Sequence, residues 1–404
     1  MRAASVGSDL AFECVPADVV VGVTRDTTVP EPIRQHVVSR VVAITPVHDT
    51  LTLETSGQAS DDDHAGQDES QPTEDAHRLT MPSLIDHRTP PEDSLVADGD
   101  DGVRVLMVLS RTCVRHMPPC RARSVIWHRL CEPTWQREST RARARTADGD
   151  TLEVNARDVV GRYILYFGVW EPNLTAWLKR RLAPGDCFVD VGANVGYYTL
   201  LASRLVGGEG RVVAIEPHPR LHATLTRNAA GLPNVRLVRA AVWDREADLD
   251  LFSDADGMSG QTTAIRDWAA KWQLHERVPV QALPLDTVLS SGEAAAARLV
   301  KIDVEGAEWQ AAAGMTRLLA DGRDDLEVTL EVSPGVLKSQ GKTPDDLVAV
   351  FREHGFHPYR IENRYDPSVY LDPPPIERPQ RITEIPADRR QTDVIFSRED
   401  ADEL

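Results

Sequence analysis

The fold of this chain is decided by residues 184–198, which read Pro-Gly-Asp-Cys-Phe-Val-Asp-Val-Gly-Ala-Asn-Val-Gly-Tyr-Tyr. The run from Cys187 to Val191 is short and apolar, as is typical of a strand buried in a parallel sheet. Gly192 and Gly196 follow, and glycine lets the backbone bend sharply and approach a ligand where a Cβ would collide. Tyr197 to Val206 then show helical spacing of apolar residues. This order of strand, glycine turn and helix predicts a nucleotide-type α/β site at the carboxyl end of the strand.

The residues of the turn indicate which ligand it binds. A dinucleotide fingerprint is absent, since Asn194 and Tyr197 occupy the places of its second and third glycines. A phosphate-binding loop is also absent, because no lysine follows Gly196. Asp190 at the strand end would repel a pyrophosphate, which favours a cationic ligand. S-adenosylmethionine has a sulfonium and an ammonium, and its carboxylate can face the helix N-terminus. We therefore expect this cofactor at Asp190, Gly192, Asn194 and Gly196.

The next two strands supply further candidates for cofactor binding. Val212 to Ile215 form a second buried apolar run, and Glu216 ends it. A carboxylate at this place can accept hydrogen bonds from both ribose hydroxyls, and its spacing from the glycine turn favours that role over a solvated charge. Val235 to Val238 predict a third strand. The turn after that strand faces the adenine in related folds, so Ala241 and Val242 are candidates for adenine contacts.

Several blocks of the chain resemble the FkbM-type methyltransferase family. They occur in the family's order over about residues 146–398, and they are Gly168–Pro172, Asp190–Thr199, Ile215–Pro219, Lys301–Glu308, Thr329–Pro334 and Thr392–Phe396. The resemblance implies a class I methyltransferase fold, which is an α/β, Rossmann-like, doubly wound and mostly parallel sheet. It also implies S-adenosylmethionine as methyl donor and, usually, O-methylation of a hydroxylated natural product, sugar or glycan. From the resemblance alone, Glu171 is expected to close over the donor.

Three residues on the later strands are candidates for catalysis. An aliphatic hydroxyl keeps its proton at neutral pH, so a base or a metal should assist its removal. Asp303 ends the strand opposite the glycine turn and is the first candidate, for the donor's ammonium or the acceptor's hydroxyl; the alternative is a helix N-cap for Ala307 to Leu319. Lys301 lies in an apolar strand, where a lysine is costly unless paired, and is expected to bridge to Asp303 or Glu331 or to act as a base. Glu331 ends the neighbouring strand and can reach the same crevice.

Other side chains near the predicted site have two interpretations each. His218 is a possible base, although a lone histidine in a loop is more often exposed. Tyr197 and Tyr198 are expected to line the donor pocket. Trp268 and Trp272 either cap an apolar acceptor or pack in the core, and their helical spacing favours packing. Metal ligands at Asp303 and Glu331 are conceivable, but no spacing demands a metal.

Composition limits the class of protein. The formal net charge of −18 argues against general binding of nucleic acid, which needs a basic face. The five cysteines form no disulfide framework and no C-x-x-C pair, which favours a reducing compartment and disfavours zinc. No apolar run approaches the ~20 residues of a membrane helix, and no secretory signal is visible. We therefore expect a cytoplasmic enzyme without a membrane segment.

The sequence predicts an N-terminal extension followed by one catalytic domain. Residues 1–145 are expected to be low in complexity and largely disordered, since residues 59–101 contain thirteen acids and residues 103–145 are rich in arginine. Residues 146–398 are expected to form the methyltransferase domain. Two other functions remain open: a nicotinamide-dependent oxidoreductase, suggested by the turn and Glu216, and a non-catalytic scaffold.

Overall fold

The computed structural model describes residues 23–24, 40–41, 101–132, 141–254 and 262–404. The chain divides into two compact units, Met1–Pro90 and Pro91–Leu404. In the first unit, strand β1 (Val23–Thr24) pairs antiparallel with β2 (Arg40–Val41). The acidic segment that the sequence predicts to be disordered lies outside the described residues, except for its last residue, Asp101.

The second unit is built on an eight-stranded sheet with the order β14-β13-β15-β12-β11-β5-β6-β7. The run from β12 to β7 is parallel, while β15 is antiparallel to both of its neighbours. The strands are β5 (Cys187–Val191), β6 (Arg211–Ile215), β7 (Val235–Val238), β11 (Ala297–Ile302), β12 (Glu327–Val332), β13 (His357–Ile361), β14 (Gln380–Arg381) and β15 (Thr392–Ser397). Buried apolar clusters cover both faces of this sheet. The predicted doubly wound, mostly parallel sheet is confirmed.

Helices flank the sheet, and most follow the strands as the sequence predicts. Their bounds are α1 (Asp101–His116), α2 (Arg121–Ile126, continued by a π-helical turn Trp127–Cys131), α3 (Val159–Phe167), α4 (Pro172–Arg181), α5 (Tyr197–Val206), α6 (Pro219–Asn228), α7 (Arg266–Trp272), α8 (Leu285–Val288), α9 (Ser291–Ala296), α10 (Glu308–Ala313), α11 (Thr316–Asp321), α12 (Pro334–Ser339), α13 (Pro344–Arg352) and α14 (Pro367–Leu371). Among the described residues, no helix combines the length and the apolar character that spanning a bilayer would need.

The folded unit begins earlier than the boundary at residue 146 that the sequence suggests. Trp127, at the end of α2, is 1% exposed and packs edge-on against Tyr163 and Tyr166 of α3. The arginine-rich run is strand β3 (Arg141–Arg145), which pairs with β4 (Thr151–Asn155). Its alternation buries the alanines and exposes the arginines, so composition alone conceals a strand.

Two further elements differ from expectation. Strands β9 (Ala247–Ser253) and β10 (Glu276–Leu283) form a separate three-stranded sheet with β8 (Ala241–Val242), so the chain does not have a single sheet. The helix predicted over 307–319 is broken into α10 and α11 at Gly314. A Cβ at Gly314 would lie 2.0 Å from the Trp243 carbonyl oxygen, so the backbone that follows β8 packs closely against this break.

Candidate active site

A cavity of about 450 Å³ opens at the carboxyl ends of the parallel strands. The residues that the sequence predicts and that line this cavity are Gly192, Asn194, Glu216, Ala241, Val242, Asp303 and Glu331. Three other predicted residues, Asp190, Gly196 and Lys301, do not line it; Asp190 and Lys301 are buried side by side on adjacent strands. Most of the predicted site residues therefore line the crevice. The buried pair Asp190 and Lys301 forms a charged layer beneath it.

The turn after β5 depends on left-handed backbone at Gly192 (φ 78°), Asn194 (φ 52°) and Gly196 (φ 96°). A Cβ at Gly192 would lie 1.8 Å from the carbonyl oxygen of Asp303, and one at Gly196 would lie 2.7 Å from Leu225 Cδ1. Asparagine is one of the few residues other than glycine that adopt this conformation readily. Asn194 therefore preserves the turn although it replaces the middle glycine, and it adds a polar side chain.

Glu216 is buried and fixed by the two loops around it. Its carboxylate accepts hydrogen bonds from the backbone N–H groups of Asn194 and His218, both at 2.9 Å. Burial raises the pKa of Glu216 to about 7, and these two bonds oppose the rise. His218 is itself 1% exposed and does not line the cavity, so it is not the exposed histidine that the sequence favours.

Lys301 lies at the centre of the charged layer. Its Nζ is 3.1 Å from Asp303 Oδ2 and 3.9 Å from Asp190 Oδ1, and it lies 5.1 Å from the centre of the Tyr198 ring. Burial lowers the pKa of this ammonium, but the carboxylates of Asp303, Asp190 and Glu171 outweigh it, so the net shift is upward. Lys301 therefore stays protonated and bridges to Asp303, which is one of the two expected partners.

Asp190 is held by the helix that follows the turn. It is 1% exposed, and its Oδ2 accepts a hydrogen bond of 2.6 Å from Thr199 Oγ1. Burial raises the pKa of Asp190, while Lys301 opposes the rise. Asp303 is not a helix N-cap, because α10 begins at Glu308 with Ala307 as its cap. The side chain of Asp303 is therefore available to the cavity.

Glu171 enters the cavity from the loop before α4, where the sequence indicated it only by family resemblance. Its backbone is left-handed (φ 43°), and its carboxylate accepts hydrogen bonds from the hydroxyls of Tyr198 (2.5 Å) and Tyr365 (2.7 Å). Burial, together with the charge of Asp303, raises the pKa of Glu171. Tyr198 thus contributes by orienting Glu171. The sequence predicts that Tyr198 lines the pocket, but the structure places it outside the cavity lining.

Glu171 belongs to a group of three carboxylates that the sequence does not bring together. Oxygens of Glu171, Glu331 and Asp393 lie within 4.8 Å of one another. Asp393 reaches this place because β15 pairs with β12 and sets it opposite Glu331. Burial raises the pKa of all three residues, and their mutual repulsion adds to the rise for Glu331 and Asp393. Like charges this close do not all ionise, so the group retains a proton or takes up a cation.

Aromatic and basic side chains complete the wall. Trp268 and Trp272, with ring centroids 5.5 Å apart, both line the cavity, although their helical spacing favoured packing. Trp170 also lines it and stacks on Tyr365. Three arginines also line the cavity, and the sequence did not predict them because they belong to no local motif: Arg157, Arg162 and Arg390.

The residues present are compatible with S-adenosylmethionine. The absence of a side chain at Gly192 lets the turn pack against the Asp303 carbonyl oxygen, and Gly192 still lines the cavity. Within the described part of the chain, the buried Oδ1 of Asn194 has no hydrogen-bond partner, and it lies beside Glu216 on the cavity wall. A ligand that supplies hydroxyl donors would satisfy both groups.

Parts of this chain are similar to known methyltransferases. Residues 190–358 match the family model described as methyltransferase FkbM domain. The hexuronic acid methyltransferase AglP of Haloferax volcanii is 25% identical over 201 residues, which is 48% of this chain and 78% of that protein. Among solved structures, Aeropyrum pernix fibrillarin with bound S-adenosyl-L-methionine is 14% identical over 64% of this chain and 93% of its own, with a TM-score of 0.32. A TehB-like methyltransferase from Corynebacterium glutamicum is 13% identical over 59% and 94%, also with a TM-score of 0.32.

Proposed function

We propose that this chain, which carries a methyltransferase FkbM domain on a class I methyltransferase fold, transfers the methyl group of S-adenosylmethionine to a hydroxyl oxygen of a small molecule or sugar. The observation that carries this proposal is the cavity itself. Its lining includes the glycine turn and Glu216, and also the carboxylates of Glu171, Asp303 and Glu331. A binding site for a cationic cofactor and a set of proton acceptors are thus within one crevice.

The turn and the ends of the neighbouring strands would hold the cofactor. Glu216 and Asn194 would accept hydrogen bonds from the ribose hydroxyls, while Ala241 and Val242 would contact the adenine. Asp303, whose carboxylate lies 3.1 Å from the Lys301 ammonium, would bind the ammonium of the cofactor. When bound, S-adenosylmethionine supplies a methyl group on a positively charged sulfur, which becomes a neutral thioether when the methyl leaves.

The acceptor's proton goes to a carboxylate of the cavity. Glu331 would accept the proton of the acceptor hydroxyl when that oxygen takes the methyl group. This residue lines the cavity, and its carboxylate accepts a hydrogen bond of 3.2 Å from the Tyr365 hydroxyl. Burial and the neighbouring carboxylates raise the pKa of Glu331, so this carboxyl holds a proton more strongly than an exposed glutamate does. Lys301 stays protonated and acts by positioning Asp303.

A sugar is the acceptor class with the most support. The similar protein from Haloferax volcanii is named a hexuronic acid methyltransferase, and a hexuronic acid has several hydroxyls on its ring. The tryptophans of the wall offer apolar faces of the kind that pack against the C–H face of a sugar ring. A cytoplasmic location, and an acceptor other than nucleic acid, remain predictions.

The first test measures the binding of S-adenosylhomocysteine to the full chain by calorimetry. We expect the Glu216→Gln variant to bind S-adenosylhomocysteine at least about tenfold more weakly than the wild-type chain. The reason is that the hydrogen bonds from the two ribose hydroxyls to the carboxylate are lost or weakened. The matched control is Glu246→Gln, an exposed glutamate outside the cavity. If the wild-type chain gives neither heat nor a thermal shift at millimolar ligand but binds NADH, the oxidoreductase alternative replaces this proposal.

The second test identifies the methylated atom. A panel of sugars is incubated with a radiolabelled methyl donor, and the labelled product is treated with mild base. A methyl ether survives this treatment and supports transfer to a hydroxyl. A label that is released indicates a methyl ester, which would contradict the proposed acceptor atom.

A further inference from the structure

The three arginines that line the cavity have no part in the proposed methyl transfer. Arg162, on α3, is held in place by backbone carbonyls, since its guanidinium donates to the oxygens of Ala156 (3.3 Å) and Arg157 (2.9 Å). Arg390 lies in the loop that precedes β15 and is exposed. Arg157 precedes α3, Arg162 lies on α3 and Arg390 precedes β15, whereas the turn and Glu216 follow β5 and β6. The basic groups are therefore on different elements from those that bind the cofactor.

Arg390 makes no side-chain hydrogen bond and no ion pair within the described ranges, although it lines the cavity. Its positive charge opposes the rise in the pKa of Glu305, a carboxylate that also lines the cavity. The adjacent Arg389 contrasts with it, because Arg389 pairs with Glu362 at 3.0 Å and does not line the cavity. A guanidinium presents a planar fork of N–H donors, which matches the two oxygens of a carboxylate. Arg390 is thus placed to bind an anionic group of a molecule inside the cavity.

The same cavity offers an apolar surface to that molecule. Trp268 and Trp272 are half-buried neighbours on α7, and both rings reach the cavity wall. A Cβ at Gly335 would lie 3.6 Å from Trp268 Cη2, so this ring is backed by α12. A rigid, flat apolar wall together with a cationic group suits a ligand that has both a ring face and an acidic substituent.

We propose that the acceptor is an acidic sugar, with its carboxylate bound by Arg390 and its ring packed on Trp268 and Trp272. Arg157 and Arg162 add positive charge to the same cavity. This inference rests on the proposed function, and it adds to it the residues that select the acceptor. The carboxylate serves recognition, and a ring hydroxyl receives the methyl group.

The test measures binding of glucuronate, methyl glucoside and glucose 6-phosphate to the full chain saturated with S-adenosylhomocysteine. Calorimetry gives the affinities, and tryptophan fluorescence reports contact with the aromatic wall. We expect glucuronate to bind about tenfold more tightly than the neutral methyl glucoside, since one charge-assisted hydrogen-bonded pair accounts for a factor of this size. Arg390→Gln should remove most of this preference, and Arg390→Lys should restore part of it. Arg389→Gln, the matched control, should keep it.

Three results would overturn the inference. They are equal binding of glucuronate and methyl glucoside, an unchanged preference in Arg390→Gln, and tighter binding of glucose 6-phosphate than of glucuronate, which would indicate a phosphate site. Absence of any glucuronate binding in a chain that binds S-adenosylhomocysteine also counts against it. Because S-adenosylhomocysteine binding is measured first, its failure refutes the proposed function, whereas a failure confined to the sugars refutes only the acidic acceptor.

Discussion

Gly192 contributes to the site by lacking a side chain. Its backbone is left-handed, and the carbonyl oxygen of Asp303 occupies the place where a Cβ would be, at 1.8 Å. This contact joins the end of β5 to the end of β11, where the catalytic candidates lie. Backbone of this kind packs too closely for any other residue.

Gly192→Ala should therefore destabilise the chain and weaken cofactor binding. We expect a loss of about 3 kcal/mol or more in the free energy of unfolding, from the backbone strain and the displaced carbonyl together. The control is Gly185→Ala, where φ is also positive (92°) but nothing lies within 4 Å of the new Cβ. Only the strain applies there, so about 1 kcal/mol is expected. Urea unfolding measures both, and equal losses would show that the contact with Asp303 is unimportant.

At the scale of elements, helices α1 and α2 belong to the catalytic unit. Val114, Trp127 and Cys131 are buried in the same apolar cluster as α3, α4 and α5. Helix α3 in turn carries Arg162 and begins beside Arg157, both of which line the cavity. The N-terminal helices thus support one wall of the site from behind.

Trp127→Ala should reveal this support. Removing a large, fully buried aromatic side chain costs about 3–5 kcal/mol, because both the apolar contacts and the packing are lost. Val125→Ala on the same helix is the control, since Val125 is 57% exposed, and it should change stability by less than about 0.5 kcal/mol. The measurement is the free energy of unfolding in urea. A negligible effect of Trp127→Ala would mean that α2 is not part of the cooperative unit.

For the whole molecule, the distribution of charge is unusual because carboxylates are buried where the chain is already acidic. The net charge is −18, and yet burial raises the pKa of both Glu216 and Glu308 to about 7. The folded chain therefore holds protons that the unfolded chain has released. By linkage, such groups favour the folded state most at low pH, and their contribution is lost as the pH rises through their folded pKa.

We expect the wild-type chain to lose stability relative to Glu216→Gln as the pH rises from 5 to 8. The ordinary pKa of a glutamate is 4.5, so a folded value of about 7 corresponds to a relative loss of about 3 kcal/mol. Burial lowers the pKa of His218 and His222, which acts in the opposite direction, and comparison with the variant cancels their effect. Urea unfolding at several pH values tests this, with Glu246→Gln as control. A difference that stays constant across the range would contradict the proposed protonation of Glu216.

Local patterns in the chain were sufficient to predict the glycine turn, the elements around it and the acid that follows the next strand. The strand, turn and helix at residues 187–206 and the acid at Glu216 are contiguous signals, since strand and helix periodicity arises from neighbouring residues. The structure confirms these elements and places Glu216 on the cavity wall. The break at Gly314 was not predicted, and the backbone that packs against it, at Trp243, is distant in sequence.

The sequence by itself determined the fold class, the turn and the identity of the residues at the strand ends. The proposed acceptor side depends on tertiary structure. Asp393 meets Glu331 because β15 inserts between β12 and β13, and Arg390, in the loop before β15, also lines the cavity. The physical reason is that side-chain periodicity depends on bonds within one element, whereas the order of strands depends on packing among all of them. Residues that meet through strand order carry no signal in their immediate neighbours.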